Sequence, residues 1–290
     1  MKFWQVVSFS EPDQLIEIAR AAEEAGFHGV LLADHIFFPG ELRSKYPYSA
    51  DGKPGFDGST PFPDPWTTIA AMSSVTEKLR FATMVFILPL RNPLELAKTL
   101  GTLALLSHGR VVLGAGAGWI REEYDTLGIP FETRGARMEE MVTVMRQAWT
   151  GRRVEHHGRF FEHGPLQMSP APGHAIPIYF GGISKVALSR AARLGQGWMG
   201  TGQTPEQAIE FCQTLGRLRE QAGRAGEPFE TVVPLLVPPE LDLLRRLEEH
   251  GMTSTSCYPF SYTIGPTSTL AQKREQMLRF GESVIAKLGD

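Results

Sequence analysis

The sequence predicts a closed (β/α)8 barrel, the TIM-barrel architecture, on three observations. Strand-like and helix-like stretches alternate strictly along the 290 residues, eight of each. The strand-like stretches are apolar on both faces, as a parallel sheet covered by helices requires. The length is near the roughly 250 residues that such a barrel takes. No internal repeat or shift in composition divides the chain, so one domain over 1–290 is expected. Alternation alone also permits an open, doubly wound sheet; the count of eight favours closure.

The first strand is expected over 3–9, FWQVVSF. A helix over 12–25 follows, with Leu15, Ile16, Ala19 and Ala22 at helical spacing. Pro12 lies where a first turn tolerates it, Ser10 is the expected cap and Gly26 the stop. GVLLA at 29–33 is a short apolar strand. Asp64 caps a helix running to about Lys78, with Pro65 in its first position. Strands over 80–88, 110–116, 176–180, 197–201, 231–237 and 253–258 then alternate with helices over 93–107, 134–149, 184–194, 205–224, 239–250 and 267–288. Two connections are long. The stretch 35–63 lies on the strand-to-helix side of a barrel and carries Phe37, Phe38, Tyr46, Tyr48, Phe56 and Phe62, a content that argues against disorder. The stretch 150–176 lies on the opposite side and reads as a structural insertion.

Composition narrows the function. Hydrophobic residues make up 42% and charged residues 21%, an ordinary globular balance. With a net charge of −3 and only isolated basic pairs such as Arg152-Arg153, nothing recruits nucleic acid or an anionic membrane. The longest apolar run, 81–90, is about half of a membrane span and reads as a buried strand. Cys212 and Cys257 have no metal-ligand or CxxC spacing and suit a reducing compartment. The opening stretch reaches Glu11 and Asp13 too soon for a signal peptide, so a cytoplasmic location is expected.

In a barrel of this kind the chemistry sits at the carboxyl ends of the strands. Asp34-His35 ends the second strand, and a histidine there can exchange a proton near neutral pH. GAGAG at 114–118 ends the fourth. It opens no clean helix, as a dinucleotide fingerprint would, and reads as a strand end stripped of side chains so that a flat ring or a backbone can approach. The bland alternative is a tight turn. YFGGIS at 179–184 ends the fifth strand in two glycines and opens a helix at a serine, an arrangement that binds phosphate through free N–H groups, or simply an N-capped turn. His156, His157 and His163 lie in the insertion without a paired carboxylate or cysteine spacing, and no metal is expected.

Four motifs fall together in order: ADHIFFP, TMVFILPLRNPLELAKTLGTLALLSHGRVVLGAGAGW, LGIPFETRGARMEEM and PIYFGGISKVALSRAARLGQGW. With them the chain, from about residue 3 to about residue 201, resembles the luciferase-like monooxygenase superfamily, most closely the branch that uses the deazaflavin coenzyme F420. The C-terminal third is looser. The resemblance implies a barrel with a deazaflavin or flavin across the strand ends and a bulge with a non-prolyl cis peptide at Thr83–Met84–Val85. It places Asp34 and His35 by the ring, Ala117 and Gly118 beside it, and Gly181, Gly182, Ser184 and Lys185 around the phosphate-bearing tail. Hydride would pass between the ring and an organic substrate, with His35 as the candidate acid. One departure stands out. The family's sugar-phosphate dehydrogenases have an acidic residue directly after the GxG stretch, where this chain has Trp119; Glu122 and Glu123 lie close by in sequence.

Three functions are compatible with these features. The first is an F420-dependent oxidoreductase acting on a small molecule, apolar or planar given the aromatic, proline-rich 35–63 loop. The second is a monooxygenase using reduced FMN and O₂. The third is a non-catalytic flavin-binding barrel, against which the same aromatic loop argues. A homodimer is the habit of the family.

Overall fold

The computed structural model describes residues 1–288. Eight positions of parallel strand close into a barrel. In chain order these are β1 (Lys2–Val6), β2 (Gly29–Leu32), β3 (Arg80–Thr83) continued by β4 (Phe86–Ile87), β5 (Val111–Gly116), β8 (Ile178–Gly181), β9 (Gly197–Met199), β10 (Glu230–Val232) and β11 (Ser254–Cys257). Pairing of β1 with β11 and of β3 with β5 closes the ring, which excludes the open sheet. Outside it run α1 (Leu15–Glu24), α2 (Pro65–Ser73), α3 (Pro93–Leu106), α5 (Arg134–Trp149), α6 (Lys185–Leu194), α7 (Pro205–Gln221), α8 (Leu241–Glu249) and α10 (Leu270–Phe280).

Strand alternation sorts the side chains into two cores. One set points inward: Trp4, Leu31, Ala82, Val112, Tyr179, Met199 and Val232 fill the barrel. The other set, with Phe3, Val30, Phe81, Leu113, Ile178, Phe180 and Trp198, meets the helices. Large residues inside face small ones. A Cβ at Gly29 would stand 2.3 Å from the Trp4 ring, and one at Gly197 2.5 Å from Tyr179. Two aromatics therefore fill the interior layer that the neighbouring glycines vacate.

Several boundaries differ from expectation, each for a local reason. The strand expected over 3–9 ends at Val6, and Phe9 turns into the left-handed region at φ 67. Ser10 does not cap the first helix. That helix opens as a 3-10 turn at Pro12–Gln14 behind Glu11, and the Ser10 hydroxyl is buried without a partner. Asp64 does cap α2, accepting Thr67 N–H at 2.8 Å, but the helix stops at Ser73. The strand expected over 80–88 is two strands, and the Met84–Val85 peptide between them is cis where the resemblance implies it. The strand expected over 231–237 ends at Val232; Pro234 has no N–H to continue the ladder, and only Gln203 and Leu235 bridge beyond it. The helix expected over 267–288 is α10, a π-turn at Gly281–Ile285 and α11 (Ala286–Leu288).

A hairpin and two short helices were not anticipated as such. The insertion forms an antiparallel hairpin of β6 (Arg153–His157) and β7 (Glu162–Gln167), held by Glu140 of α5, which accepts the N–H groups of Arg159, Phe160 and Phe161 and lies 3.2 Å from His156 Nε2. A short helix α4 (Arg121–Thr126) follows the GAGAG strand end, where no clean helix was expected. It proves central to the site. A further short helix, α9 (Phe260–Thr263), follows β11. Among the described residues no helix is long and apolar enough to cross a membrane.

Candidate active site

The glycines of 114–118 are explained by what packs on them. A Cβ at Gly114 would lie 1.7 Å from the Thr83 carbonyl oxygen, and one at Gly116 2.3 Å from Val85 Cγ2. Gly181 faces the same valine from the other side, at 2.6 Å. The bulge after β3 thus settles between two strand ends that have no side chains there, and it is a backbone and a valine that approach most closely. Thr83 is buried and fastens the arrangement: its hydroxyl donates to Gly114 O at 2.8 Å and accepts Gly114 N–H at 3.1 Å. Met84, Val85, Ala117, Gly118 and Gly181 remain part-exposed and form an apolar floor at the barrel mouth.

Asp34 supports this floor from behind. Only 4% exposed, it accepts the Ile87 N–H at 2.9 Å and pairs with Arg91 at 2.8 Å, so both carboxylate oxygens are engaged within the protein. Burial pushes its carboxyl up, opposed by Arg91 and the Ile87 N–H. Asp34 anchors β4 to the end of β2, a role that adjacency to His35 does not reveal.

His35 stands at the mouth inside an aromatic wall. Its ring centroid is 5.3 Å from Phe56, 5.1 Å from Phe62 and 6.1 Å from Trp119. Phe9, in its left-handed conformation, packs on Phe56 and Phe62 and reaches Tyr262 beyond β11. Loop 35–63, the turn after the first strand and the chain after the last strand therefore share one apolar cluster. His35 Nδ1 lies 3.1 Å from Glu123 Oε2 of α4.

Two adjacent acids of α4 clamp the loop. Glu123 accepts the Ile36 N–H at 2.9 Å. Glu122 accepts Arg43 N–H at 2.7 Å, Ser44 N–H at 3.0 Å and the Ser44 hydroxyl at 2.7 Å. Burial pushes the Glu122 carboxyl up, but these donors outweigh it and hold it below the ordinary glutamate range. The sequence left the reach of Glu122 and Glu123 open. A signal for Glu123 was there in WIREEY, where Ile120, Glu123 and Tyr124 share one face at helical spacing.

On the far side of the mouth, Gly182 adopts φ 109 and leads into α6, capped by Ser184, whose hydroxyl accepts the Ala187 N–H at 3.2 Å. Ser184 and Lys185 are exposed. The first-turn N–H groups at Lys185 and Val186 have no carbonyl of their own helix to bond, so this corner is suited to an anion. A flat ring on the Val85 floor with an anionic tail toward α6 fits these residues.

The model of the family described as luciferase-like monooxygenase matches residues 5–239. An uncharacterized protein of Mycobacterium tuberculosis is 39% identical over 290 residues, covering 99% of this chain and 100% of its own. A protein of Microbacterium testaceum named F420-dependent glucose-6-phosphate dehydrogenase is 30% identical over 232 residues, 78% of this chain and 64% of its own. Among solved structures, the monooxygenase RslO1 from Streptomyces bottropensis superposes with a TM-score of 0.79 at 20% identity over 99% of both chains, a likeness of fold.

Proposed function

This chain belongs to the luciferase-like monooxygenase family, and we propose that within it the protein is an oxidoreductase that moves a hydride between the deazaflavin coenzyme F420 and an apolar or planar organic substrate. The observation that carries this is the His35 ring at the end of β2, walled by Phe56, Phe62 and Trp119 beside the Val85 floor. Support for the deazaflavin comes from the relative named for it at 30% identity. The sugar phosphate in that relative's name does not carry over, because Trp119 replaces the acid that such enzymes use.

When bound, the deazaflavin supplies a carbon that takes or gives a hydride. The chain does the rest. Gly182, Ser184, Lys185 and the first turn of α6 hold the anionic tail. Met84, Val85, Ala117, Gly118 and Gly181 form the surface under the ring, with Thr83 and Asp34 fixing it from behind. His35 exchanges a proton with the substrate oxygen, and the aromatic wall excludes water from that exchange. The same reading places the protein in the cytoplasm, in keeping with two unpaired cysteines, and as a homodimer, the habit of the family.

Titration of the purified protein with F420 and with FMN tests the proposal. F420 is expected to bind at least tenfold tighter, and its reduced form to persist in air in the presence of the protein. Tighter FMN binding with O₂ consumption on reduction would instead make this a monooxygenase. Binding without turnover of any of a panel of alcohols and ketones would make it a carrier.

A further inference from the structure

We propose that Glu123 is a positioning residue that fixes the proton of His35 on Nδ1, so that the neutral ring presents the lone pair of Nε2 to the mouth. The chemical meaning of this rests on the role given to His35 above; the placement of the proton does not. The Glu123 side chain is 0% exposed, and each of its oxygens faces one group. Oε1 accepts the Ile36 backbone N–H at 2.9 Å, and Oε2 lies 3.1 Å from His35 Nδ1. An ionised carboxylate can only accept, so Nδ1 carries the hydrogen. A neutral imidazole has one lone pair, which then falls on Nε2, opposite Glu123.

The consequence is a direction for the proton. In alcohol oxidation the C–H bond breaks with its electron pair, which leaves as hydride to the deazaflavin. The O–H electron pair becomes the second bond of the carbonyl, and the proton goes to Nε2. The alcohol is oxidised and the deazaflavin reduced. The imidazolium so formed stands 3.1 Å from a buried carboxylate. In the reverse direction Nε2–H returns the proton to the carbonyl oxygen. Carboxylate-held histidines in hydrolase triads divide the work in the same way.

Nitrogen-15 NMR of histidine-labelled protein tests this without cofactor, with the His35→Gln spectrum identifying the signals. At a pH where His35 is neutral, the wild type is expected to show a protonated Nδ1 and an unprotonated Nε2. Glu123→Gln keeps a single side-chain oxygen, which the Ile36 N–H takes. The amide NH₂ then faces Nδ1, and the proton is expected to move to Nε2. Turnover should fall roughly a hundredfold with KM changed no more than severalfold. A wild-type spectrum with the proton on Nε2 overturns the proposal, and stands even if the variant does not fold. Lost activity with an unmoved proton also overturns it, leaving Glu123 as loop packing. A moved proton with normal turnover supports the hold of Glu123 on His35 and removes His35 from the proposed chemistry instead.

Discussion

At the scale of single residues, His35 is the position on which the chemistry turns. If it exchanges the substrate proton, His35→Ala should keep F420 affinity within severalfold while turnover falls by about two orders of magnitude, the usual worth of general acid–base help. Parallel binding and single-turnover measurements separate this from a purely packing role, which would weaken binding and spare the chemistry. His35 was legible because a strand end names its own face. Glu123, its partner, was not: the two are 88 positions apart, and only the closed barrel brings α4 against the end of β2. The glycines were legible as small but not as to what fills the space. Gly114→Ala should destabilise the protein by about 3 kcal/mol or more in chemical denaturation, since its Cβ would meet the Thr83 carbonyl, a backbone atom that cannot turn away. The resemblance places Gly182 by the phosphate-bearing tail. With φ 109 and a Cβ 3.1 Å from that of Ala187, it reports first on the turn, so Ser184 and Lys185 are the better probes of the anion.

At the scale of elements, the 35–63 loop shows how an aromatic segment becomes ordered. Its rings supply apolar burial, and the α4 acids supply its backbone bonds. Glu122→Ala removes three accepted hydrogen bonds and should cost about 1–3 kcal/mol locally. Cleavage by trypsin at Arg43 and Lys45 should accelerate severalfold while the barrel stays folded; an unchanged cleavage rate would mean that the rings alone hold the loop. The carboxyl of Glu122 is held below its ordinary 4.5, so this support is complete above that pH and is lost as pH falls through the lowered value. Elements with strong local signals were read correctly in kind: α2 from Asp64-Pro65 and α6 from Ser184. Those decided by tertiary contacts were not. α4 is six residues long and opens without a side-chain cap, and the end of β1 is set by the packing of Phe9 rather than by propensity.

At the scale of the whole molecule, alternation of strand and helix carried the architecture, and the count of eight distinguished a closed from an open sheet. What the count could not supply is how the barrel is filled and floored. At the end of the barrel opposite the mouth, burial pushes His28 down to about 4 from its ordinary 6.5, with Lys2 and Arg80 adding to the shift and Glu230 opposing it. The unfolded chain therefore takes up this proton first. Stability tied to His28 is complete above pH 6.5 and declines as pH falls toward about 4. After allowance for partial exposure the loss is about 2 kcal/mol. His28→Gln should flatten the denaturation midpoint across that window; an unaltered slope would show that other groups carry the acid sensitivity.

The central claim, hydride exchange between a deazaflavin and an apolar substrate at this mouth, is tested most directly by isotope transfer. F420 reduced with deuterium at the hydride-bearing carbon is incubated with the protein and a panel of apolar ketones and aldehydes under ¹⁸O₂. The predicted result is an alcohol carrying deuterium on the former carbonyl carbon and no ¹⁸O, formed by the wild type and about a hundredfold more slowly by His35→Ala. A product that contains ¹⁸O, or no transfer of deuterium to any substrate that the protein binds, would contradict it.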